Sequence, residues 1–166
     1  MSKGIIPTEP EERRIVMGKI ALITDSTADL TREMQKELNI HVIPLKLRFE
    51  DEEFKDSEIT SEEFYTRLAA SNSLPKPSPD DFIRFYQPLL EENDEILSIH
   101  LSSGLSGTLN SAHIAKEKLK GNIHIVDSKT ISLGIGLMII EAAELIKKGL
   151  KIPEILEKLS TARENI

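Results

Sequence analysis

The 166-residue chain has no cysteine and no tryptophan. Without cysteine there can be no disulfide framework, no thiolate-held zinc or iron–sulfur centre and no thiol nucleophile. Two tyrosines and five phenylalanines are too few for a stacking platform on single-stranded nucleic acid. Positive charge is in deficit: 21 Lys and Arg stand against 28 Asp and Glu, a formal charge of −7. Such a surface repels phosphate backbones, so nucleic acid is not an expected partner. Long apolar runs are also missing. The longest, over residues 131–140, is broken by Ser132, Gly134 and Gly136 and is about half of the ~20 residues a membrane span needs. Residues 1–18 carry Glu9, Glu11, Glu12, Arg13 and Arg14 and no apolar core of a secretion signal. The histidines, at 41, 100, 113 and 124, have no ligand spacing, so no metal site and no cofactor is expected. These absences predict a polar tail over 1–18, one soluble domain over 19–166 and a cytoplasmic location.

What is present is a regular alternation of strand-like and helix-like segments. Residues 19–24 form a short apolar run of the kind that makes a buried parallel strand. Leu30, Met34 and Leu38 recur at helical spacing, and Asn39 suits the helix end. Residues 42–49 read as a strand, with Pro44 confining it to an edge or a bulge, and residues 50–53 as a charged turn. Thr60-Ser61-Glu62-Glu63 is a capping box opening a helix with Phe64 and Leu68 buried. Ser78-Pro79-Asp80-Asp81 opens another, which Pro88 should kink or shorten. Strands follow over 95–101 and 123–126, with a helix between them marked by Leu109, Ala112 and Leu119. A helix from about Ile131 to Gly149, apolar all round, should be buried on every side. Pro153 opens the last helix. The order β-α-β-α-α-β-α-β-α-α predicts an α/β fold: a mainly parallel sheet covered by helices, with 19–24 and 95–101 in its interior.

Three of these strands end in hydroxyls and carboxylates: Thr24-Asp25-Ser26-Thr27, Ser102-Ser103-Gly104 and Asp127-Ser128. Ligands of open α/β sheets bind outside the carboxyl ends of strands. One such loop would be an ordinary helix cap; three at one edge suggest a site. In Ser102-Ser103-Gly104-Leu105-Ser106-Gly107-Thr108, two glycines let the backbone turn so that N–H groups of 104–107 converge on an anion, with at least one glycine at positive φ. The loop lacks the ending of a Walker sequence and the third glycine of a dinucleotide fingerprint. There is no G-x-S-x-G elbow. His100 and Ser102 share a strand face as core neighbours rather than as parts of a triad. Asp25 and Asp127 could share a proton as a catalytic pair, or each could cap its own loop. A hydroxyl-rich anion site beside a deep apolar layer suggests an amphiphile with a small acidic head.

The run Ile20-Ala21-Leu22-Ile23-Thr24-Asp25-Ser26-Thr27-Ala28-Asp29-Leu30 resembles the opening strand and loop of the DegV family. Residues 101–112, with Ser102, Ser103, Gly104, Ser106 and Gly107, resemble its second signature, and Val126-Asp127-Ser128-Lys129-Thr130 with Gly134 and Gly136 its third. The resemblance runs from Lys19 to the end. It implies a DegV-like N-terminal α/β domain that binds a long-chain fatty acid. It also implies a partner, the catalytic subunit of a fatty acid kinase, to which the carboxylate is presented. The protein would then be a binding component and not an enzyme. By this resemblance Ser102, Ser103, Gly104, Ser106, Gly107 and Ser78 hold the carboxylate, supported by Asp25, Ser26, Thr27, Asp127 and Ser128. Where the family shows Thr-Ser-Gln-Pro-Ser, this chain reads Leu74-Pro75-Lys76-Pro77-Ser78-Pro79. The family's C-terminal domain is expected to be absent, which makes the chain a half-site completed by a homo-oligomer or a second subunit. Two other readings stay open: a small α/β enzyme acting on a phosphorylated or carboxylated metabolite, and a ligand-free interaction module.

Overall fold

The computed structural model describes residues 18–49, 52–55 and 77–164. The tail expected over 1–18, apart from Gly18, and the capping box at Thr60–Glu63 with its helix lie outside the described residues.

Four strands form one parallel sheet: β1 (Ile20–Asp25), β2 (Ile40–Ile43), β5 (Glu95–His100) and β6 (Asn122–Asp127), in the order β2-β1-β5-β6. A hairpin of β3 (Lys46–Phe49) and β4 (Glu52–Lys55) stands apart from it. Helices α1 (Arg32–Glu37), α2 (Pro79–Glu92), α3 (Thr108–Lys118), α4 (Leu133–Lys147) and α5 (Ile152–Arg163) complete the described chain. The expected interior strands, β1 and β5, are interior.

The two-residue period of the strands separates two cores. Leu22, Leu97 and Ile99 face Ile135, Met138, Ile139 and Ala142 of α4 and Ile152 and Ile155 of α5. Ala21, Ile23 and Ile96 face Phe82 and Tyr86 of α2 and Ala112 and Ala115 of α3. The sheet is therefore buried on both faces, which is why its strands read as apolar runs. Strand β1 is followed by β2 on one side and flanked by β5 on the other, so the connections leave it in opposite directions. That divergence is a topological switch point, and it lies at the carboxyl ends of β1 and β5.

Four expectations are corrected. The strand expected over 42–49 divides at Pro44 and Leu45: β2 ends at Ile43, on the sheet edge, and β3 pairs with β4 instead. Proline brings no N–H to a ladder, so pairing stops there. The charged stretch 50–53 contributes Glu52 and Glu53 to β4. Pro88 does not shorten helix α2, which runs on to Glu92; Pro88 lies on the exposed side, where water can take the carbonyl that proline leaves without a partner. Helix α4 begins at Leu133 and is not buried all round, since Leu133 is 74 % and Leu137 59 % exposed.

Candidate functional site

Asp25, the last residue of β1, points into the α2/α3 face and is fully buried. One oxygen, Oδ1, accepts the Thr27 amide at 3.1 Å and the Thr27 hydroxyl at 2.5 Å. The other, Oδ2, faces His100 Nδ1 at 3.0 Å and accepts the Leu101 amide at 3.0 Å. Burial pushes the carboxyl up. The hydrogen bond from His100, with those from Thr27 and the Leu101 amide, outweighs it and holds the group below its ordinary value. The row continues inward: His100 Nε2 lies 2.7 Å from Ser98 Oγ, and Ser98 Oγ lies 2.8 Å from the Tyr86 hydroxyl. Burial raises the Tyr86 phenol far beyond the physiological range, against the smaller effect of Ser98. Phe82 meets the imidazole edge-on, ring centroids 5.1 Å apart.

Asp127 ends β6. Its Oδ2 accepts the Ser103 hydroxyl at 2.6 Å, and its Oδ1 accepts the amides of Ser103 at 3.2 Å and Lys129 at 3.0 Å. Partial burial raises this carboxyl, but Ser103, the Lys129 amide and the Lys129 charge together bring it below its ordinary value. Arg163, at the end of α5, donates to the Asp127 main-chain carbonyl at 3.1 Å. Ser128 is buried, its amide on the His100 carbonyl and its hydroxyl on the Thr130 carbonyl. The three polar loops thus meet at one sheet edge, bound to one another.

Several site expectations change on this geometry. Strand β5 lies between β1 and β6, so Asp25 and Asp127 stand two strand spacings, roughly 9–10 Å, apart. They cannot share a proton, and each is occupied partly by its own loop and partly by the end of β5 and the loop after it. The glycine loop does not fan its amides outward. Gly104 N–H goes to Ser102 Oγ, and the Leu105 and Ser106 N–H groups go to the Ser102 carbonyl. Neither Gly104 nor Gly107 has positive φ: Gly107 has φ −75°, and the left-handed residues at this edge are Asp29, Lys129 and Ser132. Ser106 Oγ is paired with Thr108, and Ser26 Oγ accepts the Leu45 amide. Ser78 is committed to a capping box, its hydroxyl 2.6 Å from Asp81 and accepting the Asp81 amide.

What the loop leaves open is the Ser102 hydroxyl. Its oxygen accepts from Gly104, and its proton has no acceptor among the described residues. The N-cap Gly107 also offers no side chain to the first turn of α3, where the Thr108 amide goes to Ser106 Oγ at 3.3 Å. Four apolar side chains are exposed nearby in the chain: Leu105 within this loop, and Ile131, Leu133 and Leu137 in the segment that follows Thr130, whose carbonyl accepts the Ser102 amide. Beside the Asp25–Thr27 turn opens a cavity of about 450 Å³, walled by Ala28, Leu30, Val42 and Pro44, with Arg32 and Gln35 among its lining residues.

Sequence reasoning missed the buried row and two of the cations, Arg32 and Arg163. The row had a signal. Ser98 and His100 are polar residues two apart on one face of an otherwise apolar strand, and a buried polar pair needs partners on a neighbouring element.

Comparison with known proteins places this geometry. The sequence model described as an uncharacterised protein of the DegV family matches residues 19–166. A DegV domain-containing protein of Staphylococcus aureus strain MRSA252 is 44 % identical over 153 residues, covering 90 % of this chain and 55 % of that protein. The chain therefore spans about half the length of such curated relatives. Among solved structures, a DegV family protein from Thermus thermophilus, described by its fatty acid binding, superposes with a TM-score of 0.78 at 36 % identity, over 88 % of this chain and 54 % of that one. DegV from Bacillus subtilis, described as a fatty acid binding protein, superposes with a TM-score of 0.77 at 34 % identity, over 89 % and 54 %.

Proposed function

The chain belongs to the DegV family, and on that premise we propose that it binds a long-chain fatty acid at the carboxyl edge of its sheet, with the head group at the turn of Ser102–Gly107. The observation that carries this reading is the pairing of a free hydroxyl, Ser102, with a rim of exposed apolar side chains at a topological switch point. A rim of Leu105, Ile131, Leu133 and Leu137 is costly in water and suits a hydrocarbon. The carboxylate accepts from Ser102, with the Gly107 amide and the N-terminus of α3 adding donors and partial positive charge. Ser103, Asp25, Thr27 and Asp127 brace the turn and do not touch the ligand. The fatty acid binding of the Thermus and Bacillus proteins supports the ligand class.

The finer reading is that the bound carboxylate is presented to a fatty acid kinase, with a second polypeptide or a second copy covering the apolar rim. The family resemblance of the three loop motifs supports it. Solvent extraction of the purified chain followed by mass spectrometry tests the ligand class. Long-chain fatty acid approaching one per chain is expected; a chain that stays empty after incubation with fatty acid would overturn the reading.

A further inference from the structure

The row Tyr86–Ser98–His100–Asp25 exposes no surface to solvent, and Asp25 at its outer end lines the cavity beside the Asp25–Thr27 turn. It ends on both turns of the site, through Thr27 and through the Leu101 amide, the last link before Ser102.

Its donors can be counted. The Asp25 carboxylate only accepts. If His100 is neutral with its proton on Nδ1, it donates to Asp25, and Nε2 accepts from Ser98. The Ser98 oxygen then accepts from Tyr86, and every proton in the row has an acceptor. If the ring is protonated on both nitrogens, Nε2 donates to Ser98, Ser98 donates to Tyr86, and the phenol proton is left without an acceptor among the described residues. A stranded buried donor is costly. The groups that could change this count are few. Asp25 faces the ring from β1 and Tyr86 from α2; Asp127 is the register neighbour on β6, already engaged with Ser103 and Lys129.

We propose that His100, held as the neutral Nδ1–H tautomer by Ser98 and Tyr86, is a positioning residue for the head-group turn: it acts through Asp25 to fix the Leu101 amide and thereby the Ser102 hydroxyl. The inference rests on the fatty-acid reading for its ligand and on the buried row for its mechanism. Asp25 without His100 would turn toward other donors, and the Leu101 amide would lose a charge-assisted partner. The same carboxylate ties down Thr27, so one imidazole sets two loops.

The test uses the full chain with linoleate as the probe. Imidazole nitrogen shifts of wild type report the tautomer, and the Leu101 amide proton reports the bond to Asp25. His100→Leu removes the donor, whereas His100→Asn keeps a donor nitrogen near the Nδ1 position. Loss of one charge-assisted bond corresponds to about tenfold in affinity. We expect His100→Leu to bind linoleate roughly tenfold more weakly, with the Leu101 amide moved upfield, and His100→Asn to recover most of both. Should His100→Leu fail to fold, Tyr86→Phe, which keeps the ring, is expected to leave a mixture of tautomers and a smaller loss of affinity. An unshifted Leu101 amide in His100→Leu, or a wild-type imidazole in the Nε2–H or doubly protonated form at neutral pH, would overturn the inference. Absence of linoleate binding by wild type would overturn the fatty-acid reading instead, and the two nuclear magnetic resonance signals would still decide whether the row holds the turn.

Discussion

Ser103 and Asp127 close on each other, the Ser103 hydroxyl 2.6 Å from Oδ2 and its amide 3.2 Å from Oδ1. This pair joins the loop after β5 to the loop after β6. Because both donors of Ser103 are spent on Asp127, Ser103 is a brace, and Ser102 beside it is left to meet a ligand. Ser103→Ala should lower stability by about 0.5–1.5 kcal/mol, the net value of a typical hydrogen bond. Urea unfolding measures it.

Acid should loosen this edge before it unfolds the cores. Asp25 and Asp127 are both held below their ordinary values in the folded chain. Each therefore stabilises the fold at pH above the unfolded value of about 3.9, and that contribution is lost as pH falls through the lowered folded value. Melting temperature should drop steeply below about pH 4. Asp25→Asn should start lower at neutral pH and fall less across that window, because it carries no proton equilibrium. A parallel fall in the variant would contradict the assignment.

Of Gly107 in the loop and Gly136 in α4, only Gly136 should resist a side chain. A Cβ at Gly136 would lie 2.9 Å from the Ala28 carbonyl, which is backbone and cannot swing aside. Gly107 has an ordinary φ and is exposed. Gly136→Ala should cost about 1–3 kcal/mol by overpacking α4 against the turn after β1. Gly107→Ala should change stability by no more than about 0.5 kcal/mol. Paired denaturation curves decide it.

Thr24 carries a buried hydroxyl with no partner among the described residues, on the face that packs on α4. Thr24→Val removes that polar atom at nearly constant volume. The variant should be more stable by about 1 kcal/mol, read from its melting temperature.

Much of this architecture was legible because its causes are local. Apolar runs bounded by polar residues gave β1, β5 and β6, and Ser78-Pro79-Asp80-Asp81 gave the start of α2 from cap chemistry alone. The polar edge was legible because three strands end in Asp, Ser or Thr. What failed depended on partners distant in sequence. The use of Ser103 is set by Asp127, 24 residues away, and that of His100 by Asp25, 75 residues away. The exposed side of α4 was missed because an apolar helix gives no clue to which stripe lacks a neighbour. Gly104 and Gly107 suggested a strained turn, while the left-handed backbone fell on Asp29, Lys129 and Ser132, where side-chain bonds such as Ser132 to Asp29 fix the chain.

The central claim is that a fatty-acid carboxylate is held by Ser102 and not by its neighbour. Calorimetric titration of wild type, Ser102→Ala and Ser103→Ala with linoleate, below its micelle concentration, tests it most directly. The account predicts saturable binding near one per chain in wild type. It predicts a loss of about tenfold in Ser102→Ala, the worth of one charge-assisted hydrogen bond, and a smaller loss in Ser103→Ala. Unchanged affinity in Ser102→Ala, or no saturable binding by wild type, would contradict it.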